Sequence, residues 1–421
     1  MDITKLDQYG KRTIAVLFTA QSLFSAGNIM LFTISSILAV RMGGSTLWTG
    51  VPMTLILGGA ALGAWPMGRF MDRYGRRRGL AVGQFCGMAG ALTAGVAVTR
   101  DFLPLFLGGM FLLGFARGIL DMGRYAAADA NPPRLRARAI SLVVLGGTAG
   151  AVAGPPLLKL VTAFETTHGM TAMAGPWFAM AGILCLCFLL VFTFLRPDPL
   201  EIAQARARLN GSRTETNIQC RDLPEIIRDR RFFLAVAAIV CGHLVMYLVM
   251  TITPVFMHEC HHGITEISWV IFAHMFGMYG LSFFVGWLID RAGRQAMIAV
   301  GCLVLVISCL MASLYNGTLW FALVLFLVGL GWNCCFVSGS TLLSDILRTG
   351  ERGRVQGLVD TLVNVSAATG SLGSGFLFSS VGFPVMVWLS LSVALVPILL
   401  MWWLSVKHPV PIPAVSADTF K

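Results

Sequence analysis

The sequence predicts an all-α membrane protein: twelve transmembrane helices in two pseudo-symmetric six-helix halves. Three observations predict it: the composition, the recurrence of apolar stretches of spanning length, and charged motifs that repeat across the middle of the chain. Of 421 residues, 56% are hydrophobic and 12% charged, with mean hydropathy +0.77. A soluble domain carries roughly twice that charge fraction. Apolar stretches of about 20 residues, each able to cross a ~30 Å hydrocarbon core, recur along the whole length.

In chain order the predicted spans are 13–40, 49–68, 79–98, 102–128, 139–163, 175–195, 232–257, 267–289, 296–314, 318–344, 356–380 and 384–404. The connectors Arg69–Arg78, Arg134–Arg138, Arg196–Arg231, Arg291–Arg294 and Arg348–Arg354 hold most of the Lys and Arg, together with Lys5, Lys11, Arg12 and Lys407. The alternate connectors have almost none beyond Arg41 and Arg100. The positive-inside rule puts the basic set, and with it both termini, in the cytoplasm, which requires an even number of spans. The net charge of +11 follows from this topology and from contact with anionic lipid, and nucleic acid is not an expected partner. Met1–Arg12 is short, polar and mixed in charge, so no cleavable signal is expected before the first span. Most of the ten cysteines fall inside spans, without zinc or disulfide spacing; Cys260 instead sits beside three histidines.

The polar stretch 196–231 divides the chain into an N-terminal bundle, 1–195, and a C-terminal bundle with a short cytoplasmic tail, 232–421. Two markers repeat across it. Gly68-x-x-x-Asp72-Arg73-x-Gly75-Arg76 follows the second span, and Gly286-x-x-x-Asp290-Arg291-x-Gly293-Arg294 follows the eighth, displaced by 218 positions. Asp129 precedes Arg138 by nine residues, and Asp345 precedes Arg354 by nine, a displacement of 216. Such internal repeats point to duplicated halves around a midplane site.

The G-x-x-x-D-R-x-G-R-R motif between spans two and three, its echo between eight and nine, and the 6+6 layout resemble the major facilitator superfamily over essentially the whole chain. The resemblance implies a major facilitator fold and alternating access, the halves rocking around a central cavity. Asp72 and Asp290 then meet positive helix N-termini, while Arg73, Arg76 and Arg291 pair with Asp129 and Asp345 when the inner side is closed.

The seventh span carries His243, Met246, Met250 and Met257 on one stripe, leading outward to Met257-His258-Glu259-Cys260-His261-His262. The eighth presents His274 and Met278 at an i, i+4 spacing, which stacks two side chains on one helix face. Thioether sulfur is soft and neutral, and with imidazole it suits Cu(I), whereas a Mn or Mg site would be expected to carry carboxylates. The residues expected to hold the ion are Met246, Met250, His274 and Met278; His243, Met257, His258, Cys260, His261 and His262 form a candidate outer capture group. Single methionines at helical spacing more often pack than ligate, but an ionisable His274 within a span is a functional candidate by default.

Met246-x-x-x-Met250 with His274-x-x-x-Met278 is similar to the pattern of the CcoA-like bacterial copper importers. That resemblance implies import of copper, as Cu(I), across the bacterial cytoplasmic membrane, and a cytoplasmic copper acceptor feeding cytochrome oxidase assembly. It implies copper as substrate, no organic cofactor and a monomer. The alternative on the same scaffold is a proton-coupled carrier of drugs or small solutes such as flavins. In the fourth span Arg117, Asp121 and Arg124 share a face, either as a coupling site or with Asp121 as counter-ion of the two arginines. Asp360 is expected to cap its helix or join the inner gate, and Asn333 to bond between helices. No Walker A sequence and no nucleophile–base constellation occur, so the expectation is a transporter and not an enzyme.

Overall fold

The computed structural model describes residues 3–407 apart from 46, 47, 49, 170, 172, 210–220, 263, 313, 315, 316 and 349. The N-terminal half comprises α1 (Ile3–Gly43), α2 (Val51–Tyr74), α3 (Arg76–Thr99), α4 (Leu103–Leu120), α5 (Gly123–Asp129), α6 (Arg136–Thr167) and α7 (Gly175–Phe194). Short helices α8 (Pro199–Leu209) and α9 (Leu223–Ile227) flank the undescribed centre of the connecting stretch. The C-terminal half comprises α10 (Arg230–Glu259), α11 (Ile264–Met275), α12 (Ser282–Ala292), α13 (Arg294–Ala312), α14 (Thr318–Ile346) and α15 (Arg352–Lys407).

Among the described residues ten helices are long and apolar enough to cross a membrane, and eleven if a bent pair, Trp269–Gly280 with Ser282–Ala292, is one span. The pair meets at 41° across a π-helical turn, Phe276–Gly280. The predicted eleventh and twelfth spans fall on either side of Gly382, whose φ of +79° breaks α15. The part before the break carries Asp360, Asn364 and a series of Ser and Thr, which is why its hydropathy is low. The first helix begins ten residues earlier than hydropathy alone predicts, because its polar start packs Leu6 fully buried against Ala130 and Ile202.

Buried side chains separate into one core drawn from residues 16–195 and another drawn largely from 226–394. Around them large apolar side chains such as Leu62, Phe85, Trp269, Leu303, Trp388 and Trp402 face outward, the pattern of a lipid-facing belt. With no hydrophobic drive between helices in lipid, close packing of small residues holds them together. In α2 and α4, Gly59 abuts the Phe111 carbonyl, and Gly114 and Gly118 abut those of Ile56 and Ala60; a Cβ at any of the three would sit 2.3 Å from that oxygen.

Candidate transport site

Between the halves lies a cavity of about 810 Å³, open solvent included, walled by α1, α4, α5, α6, α10, α14, α15 and the Phe276–Gly280 turn. Gln21, Arg117, Asp121, Arg124, Asp360 and Asn364 supply its polar lining. Its apolar lining includes Tyr247, Tyr279, Trp332 and Phe336. Trp332 and Phe336, one turn apart on α14, stack with centroids 4.8 Å apart, and His243 stands edge-on to both, at 5.1 and 5.2 Å.

Asp121 is not the ion-pair partner of both arginines: among the described residues its carboxylate approaches Arg117, at 3.8 Å. Arg124 instead donates through Nη1 to the Asp121 carbonyl at 2.6 Å and through Nη2 to the Tyr125 hydroxyl at 3.0 Å. Its ion-pair partner is Asp360 Oδ1, from the other half of the molecule. Arg124 and Asp360 side chains are only 5% exposed, so each charge depends on the other for compensation. Asp360, expected as a cap or gate residue, therefore belongs to the cavity floor.

The predicted copper ligands are divided. Met246 and Met278 line the cavity, as does His243, whose Nδ1 is 2.9 Å from the Ile239 carbonyl. Met250 and His274 do not line it. His274 is fully buried against α14, Nδ1 on the Leu325 carbonyl at 2.9 Å, and its Nε2 has no partner among the described residues. The π-helical turn begins just after His274, so the spacing to Met278 is not that of an α-helix. Of the outer group, Met257 is buried, Cys260 is half-buried and His261 is exposed at φ +64°. His262 Nδ1 meets Glu266 and Thr318, each at 3.1 Å, and the His258 side chain lies outside the described residues. Among the described residues no three His, Cys, Asp or Glu converge to hold a metal ion.

At the end of the bundle bearing the basic connectors, the repeated motif locks the halves together. Gly68 and Gly353 bring the backbones of α2 and α15 into contact: a Cβ on Gly68 would sit 2.0 Å from the Gly353 carbonyl. Asp72 then accepts the backbone N–H groups of Gly353 and Arg354, each at 2.7 Å, a carboxylate on a positive helix N-terminus. In the second copy Gly286 abuts Ala137 and Ser141 of α6, and Asp290 accepts the Arg138 N–H at 3.1 Å. Gly75 and Gly293 turn the chain at φ +98° and +94°, a conformation costly for any residue with a Cβ.

The arginine after each turn reaches a carboxylate of its own half: Arg76 Nε to Asp129 at 2.9 Å, Arg294 Nε to Asp345 at 3.0 Å. The opposite half adds Arg352 to Asp129 at 2.6 Å and Arg136 to Asp345 at 2.5 Å. Arg73 and Arg291, expected as gate residues, stay outside the network. Both are exposed, lying over their own helices' Tyr74 and Trp287 rings. Asp198 was missed; it accepts the first two N–H groups of α3, from Arg76 and Arg77, at 3.0 and 2.9 Å. Its place between two prolines, a turn sequence, was the available clue. Arg221, beside the connecting stretch, is pinned to the buried Glu351, whose hydrogen bonds push the guanidinium pKa up. With these links made, the cavity is closed toward the basic end.

Two six-helix halves locked at one end around a central cavity define a membrane carrier. The chain belongs to the Major Facilitator Superfamily, whose family profile matches residues 17–265 and 244–419. It is a secondary transporter and not an enzyme. It is similar to the uncharacterized MFS-type transporter YdeG of Bacillus subtilis (strain 168), 31% identical over 92% of this chain and 91% of the relative. It is also similar to the riboflavin transporter RfnT of Brucella anthropi, 30% identical over 93% of this chain and 96% of the relative. In fold it matches the human organic anion transporter MFSD10, with TM-score 0.72, 16% identity, and 93% and 99% of the two chains covered. It also matches FucP in the outward conformation, with TM-score 0.69, 15% identity, and coverage of 94% and 99%.

Proposed function

We propose that the chain carries a small organic solute with a planar aromatic ring and polar edges, of the riboflavin kind, across a bacterial cytoplasmic membrane. The observation that carries this reading is the cavity lining. Stacked Trp332 and Phe336 offer a flat apolar face, and Arg117, Asp121, Arg124, Asp360, Gln21 and Asn364 offer hydrogen bonds around it. The similarity to a riboflavin transporter supports the same class. The positive-inside rule orients the locked end toward the cytoplasm. The halves are taken as 1–195 and 232–421, joined by the connecting stretch 196–231 and rocking around the central cavity.

Copper is the second reading, favoured by one observation: His243, Met246 and Met278 share the cavity wall. In that reading Cu(I) is the substrate and a cytoplasmic acceptor serving cytochrome oxidase assembly receives it. One feature weighs against it: His274 and Met250 do not line that cavity, and His274 is bonded to the Leu325 carbonyl. Uptake of radiolabelled riboflavin and of radiolabelled copper, measured side by side in cells expressing the chain, tests both. Riboflavin accumulation that survives Met246→Leu with Met278→Leu supports the organic solute; copper accumulation abolished by that double substitution, with no flavin uptake, replaces it.

A further inference from the structure

We propose that the Arg124–Asp360 pair is the element that reads the solute, and that it takes a cyclic imide or ureide edge: a C=O beside an N–H in one plane. The proposal rests on the planar-solute reading and names the part of that solute which the cavity recognises.

The pair is joined by a single link, Arg124 Nη2 to Asp360 Oδ1. Among the described residues Arg124 Nε and Asp360 Oδ2 are both buried and lack a hydrogen-bond partner, although the Tyr125 hydroxyl lies beside them. One unused donor and one unused acceptor therefore flank one ion pair on the cavity floor. A guanidinium only donates and a carboxylate only accepts. A carboxylate ligand would satisfy Arg124 and repel Asp360, and an ammonium ligand would do the reverse. A neutral imide meets both, its C=O taking Arg124 and its N–H giving to Asp360. The guanidinium lies over the Tyr125 and Phe336 rings, 4.2 and 4.6 Å from their centroids. Phe336 in turn stacks on Trp332, so the pair sits at the end of an aromatic row in the cavity wall. Arg124 and Asp360 belong to different halves, so an edge inserted between them replaces a direct link across the interface with one that runs through the solute. A ligand lacking the N–H leaves a buried acceptor unpaired, the arrangement that gives the strongest discrimination.

The test uses the full-length protein in nanodiscs, with lumiflavin and N3-methyl-lumiflavin as probes and flavin fluorescence as the readout of binding. The methyl group removes only the imide N–H. Wild type is expected to bind the methylated probe at least about tenfold more weakly, the effect of one lost hydrogen bond to a charged group. In Asp360→Ala the difference is expected to shrink to within about twofold; should that variant not fold, Asp360→Asn, which keeps the side-chain shape, is expected to show a clear reduction. Equal binding of both probes by wild type, or an unchanged ratio in the variants, overturns the imide latch and leaves the planar-solute reading standing. Failure of folded wild type to bind either flavin overturns both.

Discussion

Asp129 and Asp345 each hold two arginines, one from their own half and one from the opposite half, in arrangements related by the internal repeat. Asp129 takes Arg76 and Arg352, and Asp345 takes Arg294 and Arg136. The two stations differ in solvation: the Asp129 carboxylate is fully buried and that of Asp345 is 27% exposed. A lock that is symmetric in sequence is therefore asymmetric in strength.

That asymmetry sets the first prediction. Removing one partner of a buried pair costs about 3–5 kcal/mol, because the remaining charges are stranded, whereas a solvated pair contributes about 0–1 kcal/mol. Asp129→Asn should therefore shift the population strongly toward the state open at the basic end, and Asp345→Asn only slightly. Spin labels placed across the two halves at that end, read by pulsed EPR distances, check it. Identical distance distributions in the two variants would show that burial does not rank these stations.

Sterics at the crossing of α2 and α15 give the second. A Cβ at Gly353 would lie 2.3 Å from the Gly68 carbonyl, 2.5 Å from Arg76 Nη1 and 2.6 Å from Asp72 Oδ1. Backbone cannot yield there, so Gly353→Val should hold the halves apart and abolish solute uptake while the protein remains monodisperse. At Gly286 the nearest atoms are the Ser141 hydroxyl at 2.3 Å and Cβ at 2.6 Å, and the nearest backbone atom, the Ala137 carbonyl, is at 3.0 Å. With no backbone atom as close as at Gly353, Gly286→Val should keep a larger share of transport. The uptake ratio of the two variants in whole cells decides the matter.

The motif was readable from sequence because each of its positions answers a local demand. Gly75 and Gly293 serve a positive φ, Gly68 and Gly286 a close approach, Asp72 and Asp290 a helix N-terminus. Which arginine reaches Asp129 was not readable: Arg73 and Arg76 both neighbour Asp72, and only the direction of the turn at Gly75 separates them. The partner of Arg124 stands 236 residues away, beyond any local pattern. The pairing of His274 with Met278 assumed 3.6 residues per turn, and the helix is π-wound between them. Span eleven was legible as an apolar stretch of spanning length although its polar residues lower its hydropathy, and two of them, Asp360 and Asn364, line the cavity.

His274 separates a packing role from a ligand role. Its ring is fully buried and bonded to the Leu325 carbonyl, and Gly329 packs directly on its backbone. His274→Ala should leave a void and an unpaired carbonyl, costing about 2–4 kcal/mol. The expected outcome is a melting temperature lowered by several degrees, with any loss of uptake following the loss of folded protein. Met278→Leu, a volume-conserving change at the cavity wall, should leave the melting temperature nearly unchanged. A His274→Ala protein that melts like wild type yet no longer accumulates copper would instead mark a ligand.

The aromatic wall provides the last prediction. Trp332 is buried, stacks on Phe336 and receives the edge of His243, so its ring is held in place before any solute arrives. A preorganised face of this kind contributes without an ordering cost at binding. Trp332→Leu keeps the site apolar but removes the flat surface, which for an aromatic solute is worth about 0.5–1.5 kcal/mol beyond area. Riboflavin affinity, measured by fluorescence titration of the purified protein, should therefore fall by up to about tenfold. Met246→Leu on the same wall should change it less than about threefold, because a thioether adds little to a stacked ring. The opposite ranking, with Met246 dominant and Trp332 indifferent, would mean that sulfur and not the aromatic face selects what this cavity carries.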